Sequence, residues 1–208
     1  TRRGWQVFDR TEMFAFAPQR GGVVARVAGR MVRCKHLIFA SGYESQPQLK
    51  QRVARNRSSY AFITDPQKTD LGPLQDTMVW ESARPYLYLR RTADQRLLVG
   101  GEDDTIDVPI KRDAKLASKV ETLKRRVETL FPQFDWTPAF SWAGTFAETE
   151  DGLPFFGPHP EHGPRVSFAM AYGGNGITYS AIGAQILASQ VTGRSHPLRK
   201  LFSFDRIG

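Results

Sequence analysis

Tyr172-Gly173-Gly174-Asn175-Gly176-Ile177-Thr178 leads into the small-residue run Ser180–Val191, and this stretch decides how the chain is read. Upstream, Val166-Ser167-Phe168-Ala169-Met170-Ala171 reads as a short apolar strand, so the order is strand, glycine turn, helix. Glycines at such a junction let backbone N–H groups approach a ligand closely, because no Cβ intervenes. The helix start adds unpaired N–H groups and partial positive charge, which suits an anion or an electron-rich ring edge. Ala181, Ile182, Gly183, Ala184, Ile186, Leu187, Ala188 and Val191 make the helix apolar on nearly every side. That composition predicts burial under a sheet, with Gly183 permitting close approach. Gly193 stands where a left-handed C-terminal cap is needed. The same loop also suits a tight turn that binds nothing, and alone it leaves both readings open.

A second segment lies just ahead of it: Ser141-Trp142-Ala143-Gly144-Thr145-Phe146-Ala147-Glu148-Thr149-Glu150-Asp151-Gly152-Leu153-Pro154-Phe155-Phe156-Gly157. It resembles the W-A-G…T-x-D-G-x-P-x-x-G signature of the D-amino-acid oxidase and glycine oxidase family of flavoproteins. The glycine loop resembles the same family's C-terminal flavin-binding segment. Lys35–Glu44 resembles its V-V-L-A-T-G strand, with Ser41 where Thr is common. Tyr86–Arg91 followed by Arg96–Gly101 is similar to its substrate-domain hairpin. These four segments occur in the family's order.

One element of that family is missing. The strand–G-x-G-x-x-G–helix unit that grips the cofactor's pyrophosphate is not in this sequence, and the glycine loop lacks the acidic residue about 20 positions on that a dinucleotide fingerprint needs. Thr1-Arg2-Arg3 carries no initiator Met. The expectation is therefore the C-terminal part of a longer oxidoreductase, with its nucleotide-binding half upstream.

Bulk properties narrow the classes. The 208 residues can bury a sizeable core. No stretch approaches the ~18 consecutive apolar residues of a membrane span. Cys34 is the sole cysteine, which excludes a disulfide frame and makes a reducing cytoplasm the default. His36, His159, His162 and His196 show no ligand spacing, and no metal site is expected; His159 and His162 read as a surface loop among Pro and Gly. The 29 basic and 21 acidic residues give +8, which raises nucleic acid as a partner. Neither Lys50, Arg52, Arg55 and Arg57 nor Arg112, Lys115, Lys119 and Arg126 is interleaved with aromatics as a stacking platform requires. Solvated basic faces and no nucleic-acid partner are the expectation.

Along the chain, Trp5–Val7, Glu12–Ala17, Val23–Val27, Arg30–Arg33 and Leu37–Ala40 predict strands. Residues 44–58 read as a polar crossing. Ser59–Thr64, Thr77–Glu81, Tyr86–Arg91 and Arg96–Gly101 supply a second sheet. Leu116, Val120, Leu123, Val127 and Leu130 give one strong helical period, stopped by Pro132 and capped by Asp113. The fold class is α+β: part of a flavin-binding α/β domain plus a mainly antiparallel substrate-domain sheet with a packed helix, the N-terminal Rossmann unit being absent. The boundaries expected are 1–45 with 160–208 for the flavin part and 58–157 for the substrate part.

The resemblance implies the chemistry. Its members bind FAD and oxidise a carbon–nitrogen bond by hydride transfer to the flavin, so no separate catalytic residue of this chain is named. It implies cofactor contacts at Gly173, Gly174, Asn175, Gly176, Ile177 and Thr178 along the flavin, at Ala40, Ser41 and Gly42 beside the nucleotide half, and at Met13 near the adenine. Met13 reads equally as a core residue. Amino-acid-oxidising members carry an Arg two residues after W-A-G to clamp a carboxylate; here it is Phe146. Tyr88 matches the other carboxylate contact, and Tyr172 stands where a relative carries His. A pocket of Tyr88, Phe146 and Tyr172 suits an amine over a plain α-amino acid, with Arg84, Arg90 or Arg91 as alternative clamps. Core packing is the competing reading for all three. A flavin-binding or protein-interaction fragment without turnover, and a basic interaction domain, are the other classes open to the sequence.

Overall fold

The computed structural model describes residues 4–207; Thr1–Arg3 of the expected flavin part lie outside the described residues. The element order is β1 (Met13–Gln19), β2 (Gly22–Val27), β3 (Arg30–Cys34), β4 (Leu37–Phe39), β5 (Arg55–Thr64), β6 (Met78–Trp80), β7 (Leu87–Arg91), β8 (Leu97–Asp104), α1 (Pro109–Asp113), α2 (Leu116–Leu130), β9 (Pro138–Glu148), β10 (Phe155–Pro158), β11 (Val166–Met170) and α3 (Gly176–Val191). The strands form sheets ordered β1-β2-β3, β10-β11-β4 and β6-β7-β8-β5-β9. This is an α+β chain in two units: residues up to Ala54 with those from Glu148, and Arg55–Ala147.

In the second unit, period-two alternation sends Leu87, Leu89, Leu97, Val99, Tyr60 and Phe62 to one face of the five-stranded sheet. There they meet Val120, Leu123 and Val127 of α2 in one core, with Trp136 and Phe134 at its end. Most of these residues are fully buried. The period-seven pattern of α2 is thus a sheet-packing face. Lys115, Lys119 and Arg126 are not a solvated face, as expected from sequence, but ties to the sheet. Lys115 reaches Asp104 at 2.8 Å, and Glu102 takes Lys119 at 3.4 Å and Arg126 at 2.9 Å. Arg126 also pairs with Glu81. Glu102 lies on the helix side because β8 is irregular there: Gly101 and Glu102 both have positive φ, 139° and 54°. That kink shifts the alternation by one residue and sends Asp103 to the opposite face.

In the first unit the core is aromatic. Phe155 stacks on Phe204 at 4.5 Å, and Phe156 meets Phe202 at 5.5 Å. β4 pairs with β11 in parallel, and β10 pairs with β11 antiparallel. A Cβ on Gly183 would stand 2.2 Å from the Phe156 ring, so glycine is what lets α3 settle on β10.

Several sequence expectations need correction. Trp5–Val7 is irregular, since Met13–Gln19 already matches β2 along its length. Asp113 ends α1 rather than capping α2, whose cap position is Lys115, because Pro109 starts a separate short helix. α3 begins at Gly176 and buries one face only: Gly183, Ile186, Leu187 and Ser189 are buried, while Ala181, Ala184 and Ala188 are exposed. The unit boundary falls at Glu148 instead of near 158, because Phe155 and Phe156 have their partners in β11 and α3. His159 lies in the loop after β10 but is 3 % exposed and edge-on to Phe204 at 4.8 Å, so that loop residue is buried and not on the surface.

Candidate functional site

Parallel pairing of Leu37 with Val166, Ile38 with Ser167 and Phe39 with Phe168 sets the carboxyl ends of β4 and β11 side by side. Ala40-Ser41-Gly42 and Ala171-Tyr172-Gly173-Gly174 therefore leave the same end of one sheet, where open α/β sheets hold ligands. Gly42 and Gly173 have φ of 59° and 56°, values that favour glycine. A Cβ at either would meet nothing within 4 Å, so both backbones face open space. Ala171, 1 % exposed, also sits at φ 63°, a strained conformation of order 1–3 kcal/mol for a side-chain-bearing residue. Ser41 Oγ lies 2.9 Å from buried Ser45 Oγ, which fixes the start of the 3-10 turn Gly42–Gln48.

Asn175 occupies the cap position of α3, yet its side chain makes no capping bond. The first-turn N–H groups are left to other partners. Ile177 is 94 % exposed beside them. Burial pushes the Tyr172 phenol up, with the Ser180 hydroxyl opposing; its ring lies 5.8 Å from Phe156. Glycine-lined, positively biased and open, this end of the sheet suits an anion or the electron-rich edge of a ring. Met13 opens β1, opposite Val27 in the meander, and contributes to a different sheet.

The T-x-D-G-x-P segment has a structural task. Thr149 Oγ1 donates to Asp151 or to the Leu153 carbonyl at 2.9 and 2.8 Å, and Leu153 N–H donates to Asp151 at 3.1 Å. Arg206 closes the turn with its Nε 2.7 Å from Asp151, its guanidinium 3.7 Å over the Phe155 ring. Burial would raise the Asp151 carboxyl, but Arg206, the Leu153 N–H and Thr149 outweigh it and hold it at about 2.

Two predicted substrate residues share a face in the second unit. Tyr88 alternates with core residues Leu87 and Leu89, and Phe146 alternates with Ala143 and Thr145, of which Ala143 packs on the core and Thr145 accepts from Arg112 of α1. Tyr88 and Phe146 thus both face away from α2. Their strands are three places apart in the sheet, roughly 14 Å at the usual strand spacing. Tyr172 belongs to the other unit. The Tyr88 ring lies flat over Gly100, where a Cβ would come within 2.2 Å of its hydroxyl.

Sequence reasoning missed the neighbours of Tyr88. Trp80 pairs with Tyr88 across β6 and β7. Trp80, Tyr86 and Tyr88 form a row with ring centroids 6.3 and 6.2 Å apart. Both carboxylate oxygens of Asp103 are buried. Burial and then the Asp103 charge push the Tyr86 phenol far up, with Arg84 opposing; the same two causes raise Tyr88, with Arg90 opposing. Only the β8 kink brings Asp103 to this face, and Gly100-Gly101 is its one trace in the sequence.

Comparison with known proteins gives this geometry its context. The chain is 28% identical over 190 residues to the tRNA 5-methylaminomethyl-2-thiouridine biosynthesis bifunctional protein MnmC of Cupriavidus necator, covering 78% of this chain and 28% of that protein. It is 29% identical over 195 residues to the glycine oxidase of Geobacillus kaustophilus, covering 89% and 48% respectively. The crystal structure of glycine oxidase from Geobacillus kaustophilus superposes with a TM-score of 0.73 at 25% identity, over 94% of this chain and 52% of that one. The chain thus spans between about a quarter and a half of the relatives it matches. A family model described as FAD dependent oxidoreductase matches residues 1–190. With that match, the paired strand–glycine turns and the glycine-oxidase-like fold, the chain belongs to the DAO family of FAD-dependent oxidoreductases.

Proposed function

We propose that this chain is the C-terminal part of a flavoprotein that oxidises a C–N bond of an amine or N-substituted amino acid. The observation that carries the reading is Phe146 on the same sheet face as Tyr88, at the position where amino-acid-oxidising relatives hold an Arg clamp. When bound, FAD accepts the hydride from the substrate carbon. The chain's own residues bind and orient. The residues that would hold the flavin ring are Gly173–Thr178, whose N–H groups would stabilise negative charge on it. Ala40–Gly42 and Met13 lie toward the nucleotide half. The Tyr88 hydroxyl donates to a polar substrate atom, and the Phe146 ring excludes water and disfavours a bare carboxylate. Tyr172, in the first unit, is the third residue that this reading assigns to the substrate. A nucleotide-binding half supplies the pyrophosphate grip, for which this chain has no G-x-G-x-x-G; without it the chain is inactive. The substrate is a small molecule and the compartment cytoplasmic.

A second reading, in which the amine is carried on RNA, is favoured by the +8 net charge together with the likeness to a tRNA-biosynthesis protein. Filter binding of tRNA over a salt series separates the two: binding that falls steeply with salt supports the RNA-borne amine.

The central test is anaerobic bleaching of the flavin at 450 nm (roughly the oxidised band, which hydride transfer removes) in the complete protein. Amines and N-substituted glycines should bleach it, while glycine and alanine should be poor. Phe146→Arg should improve the small amino acids, since a bidentate charge-assisted contact is worth ~2–5 kcal/mol in a closed site. Rapid bleaching by glycine, with none by amines, would overturn the reading.

A further inference from the structure

The loop after β10 takes hold of the segment that follows Gly42. Glu161 Oε2 accepts the Lys50 N–H at 2.9 Å, and its Oε1 accepts the Gln51 N–H at 3.1 Å. These two backbone bonds hold the Glu161 carboxyl below its ordinary value, so the group is charged at neutral pH. Beside it, His162 Nε2 lies 2.6 Å from the Gln48 carbonyl. A carbonyl only accepts, so Nε2 carries the proton. The His162 ring is seated against Phe16 at 5.1 Å and Phe168 at 5.9 Å. Buried His159 shapes the loop from within, its Nδ1 accepting the Glu161 N–H at 3.3 Å.

What the loop grips has little rigidity of its own. Gly42–Gln48 is a 3-10 helix of seven residues with Pro47 inside it, longer than the few residues over which the poorer hydrogen bonds of that helix usually persist. The Ser41–Ser45 contact and the bonds of Gln46 to Gln51 and Val53 are internal to the segment. Among the described residues, its hydrogen bonds to another element come from Glu161 and His162. Gly42, at φ 59° and facing open space, stands at the start of the segment so anchored.

We infer that Glu161, with His162, is a positioning residue for the cofactor: it anchors the segment that Gly42 opens and so sets how tightly the nucleotide half of FAD is held, without acting on the flavin ring. The inference rests on the proposed place of Ala40–Gly42 beside that nucleotide half and names what keeps the turn in place.

Two ligands test it on the complete protein freed of its flavin: FAD, and riboflavin 5′-phosphate, which has the same ring and ribityl chain without the adenylate. Flavin fluorescence gives both affinities, and their ratio measures what the nucleotide half contributes. Glu161→Ala should lower FAD affinity about tenfold, the size of a lost hydrogen bond to a charged group, and leave riboflavin 5′-phosphate binding unchanged. Glu161→Gln, which keeps one acceptor oxygen, should fall between. His162→Phe keeps a ring in the aromatic seat but cannot donate to Gln48, and it should lower the ratio in the same sense; it decides the matter if Glu161→Ala does not fold. An unchanged ratio in both variants overturns the inference. So does an equal loss for both ligands, which marks a general structural role. Gly42→Val, which a positive φ disfavours, checks the reading beneath it. If Gly42→Val lowers the ratio and the Glu161 and His162 variants do not, this inference alone fails. If the ratio ignores Gly42→Val, the placement of that turn fails and the inference with it. If the ratio responds to all three variants but no amine bleaches the flavin, the oxidation reading fails and the positioning role stands.

Discussion

The two long helices differ most where they face outward. α2 buries Val120, Leu123 and Val127 and shows Glu121 and Arg125 to solvent. α3 buries Ile186 and Leu187 in the same manner, but its outer face carries Ile177, Ala181, Ala184, Ala188 and Val191, all exposed. One helix is amphipathic in the ordinary way; the other is apolar on a face that nothing in its own unit covers. The difference extends to the sheets. The five strands of the second unit share one continuous core with α2, while β4, the edge of its sheet, leaves Ile38 40 % exposed. The contrast thus lies in the helices: α3 keeps an apolar outer face, while the second unit exposes apolar side chains on its strands, at Met78, Trp80, Phe140 and Trp142.

The largest effects should come from the inner faces, where the helices are alike. Leu123→Ala and Ile186→Ala each remove a fully buried branched side chain and should each lower unfolding stability by about 2–5 kcal/mol. Chemical denaturation followed by circular dichroism measures both. A loss under ~1 kcal/mol for Ile186→Ala alone would mean that α3 is held by its outer face, reversing the comparison.

A smaller effect sharpens it, because the first unit is also held by one polar latch. Asp151 is held at about 2 against an ordinary 3.8. A carboxyl depressed on folding stabilises above its unfolded pKa and loses that contribution as pH falls through the folded one. The latch therefore works fully above about pH 4 and is lost between there and about pH 2. At neutral pH Asp151→Asn should be the less stable protein, and the two melting curves should converge as pH drops through that window. Curves that stay parallel down to pH 2 would show that Arg206 does not depend on the carboxylate.

The parts of this account legible in the sequence are those with a local cause. The alternation in 87–91 and 97–101, the helical period of 116–130, and the strand–glycine–helix order after Val166 each announce themselves within a dozen residues. What was not legible depends on partners far along the chain. Nothing near Phe155 says that its strand joins β11, or that Arg206 would close the turn at Asp151. The basic residues of α2 look like a solvent face until Glu102 is seen beneath them. Asp103 is hidden for the same reason: a one-residue irregularity at Gly101-Glu102 decides its face, and alternation counted from Leu97 cannot anticipate it. The site was legible as a set of turns; Tyr88 and Phe146 could be paired only once the sheet order was known.

The central claim is that the first unit offers flavin contacts but not the grip that retains the cofactor. Titrating FAD into the purified chain, followed by flavin fluorescence, tests it most directly. A helix-start contact contributes only ~0.3–1 kcal/mol when exposed, so little quenching is expected at micromolar concentration, and stoichiometric quenching is expected once the chain is joined to a G-x-G-x-x-G nucleotide-binding half. Tight, stoichiometric binding by the chain alone would contradict the account.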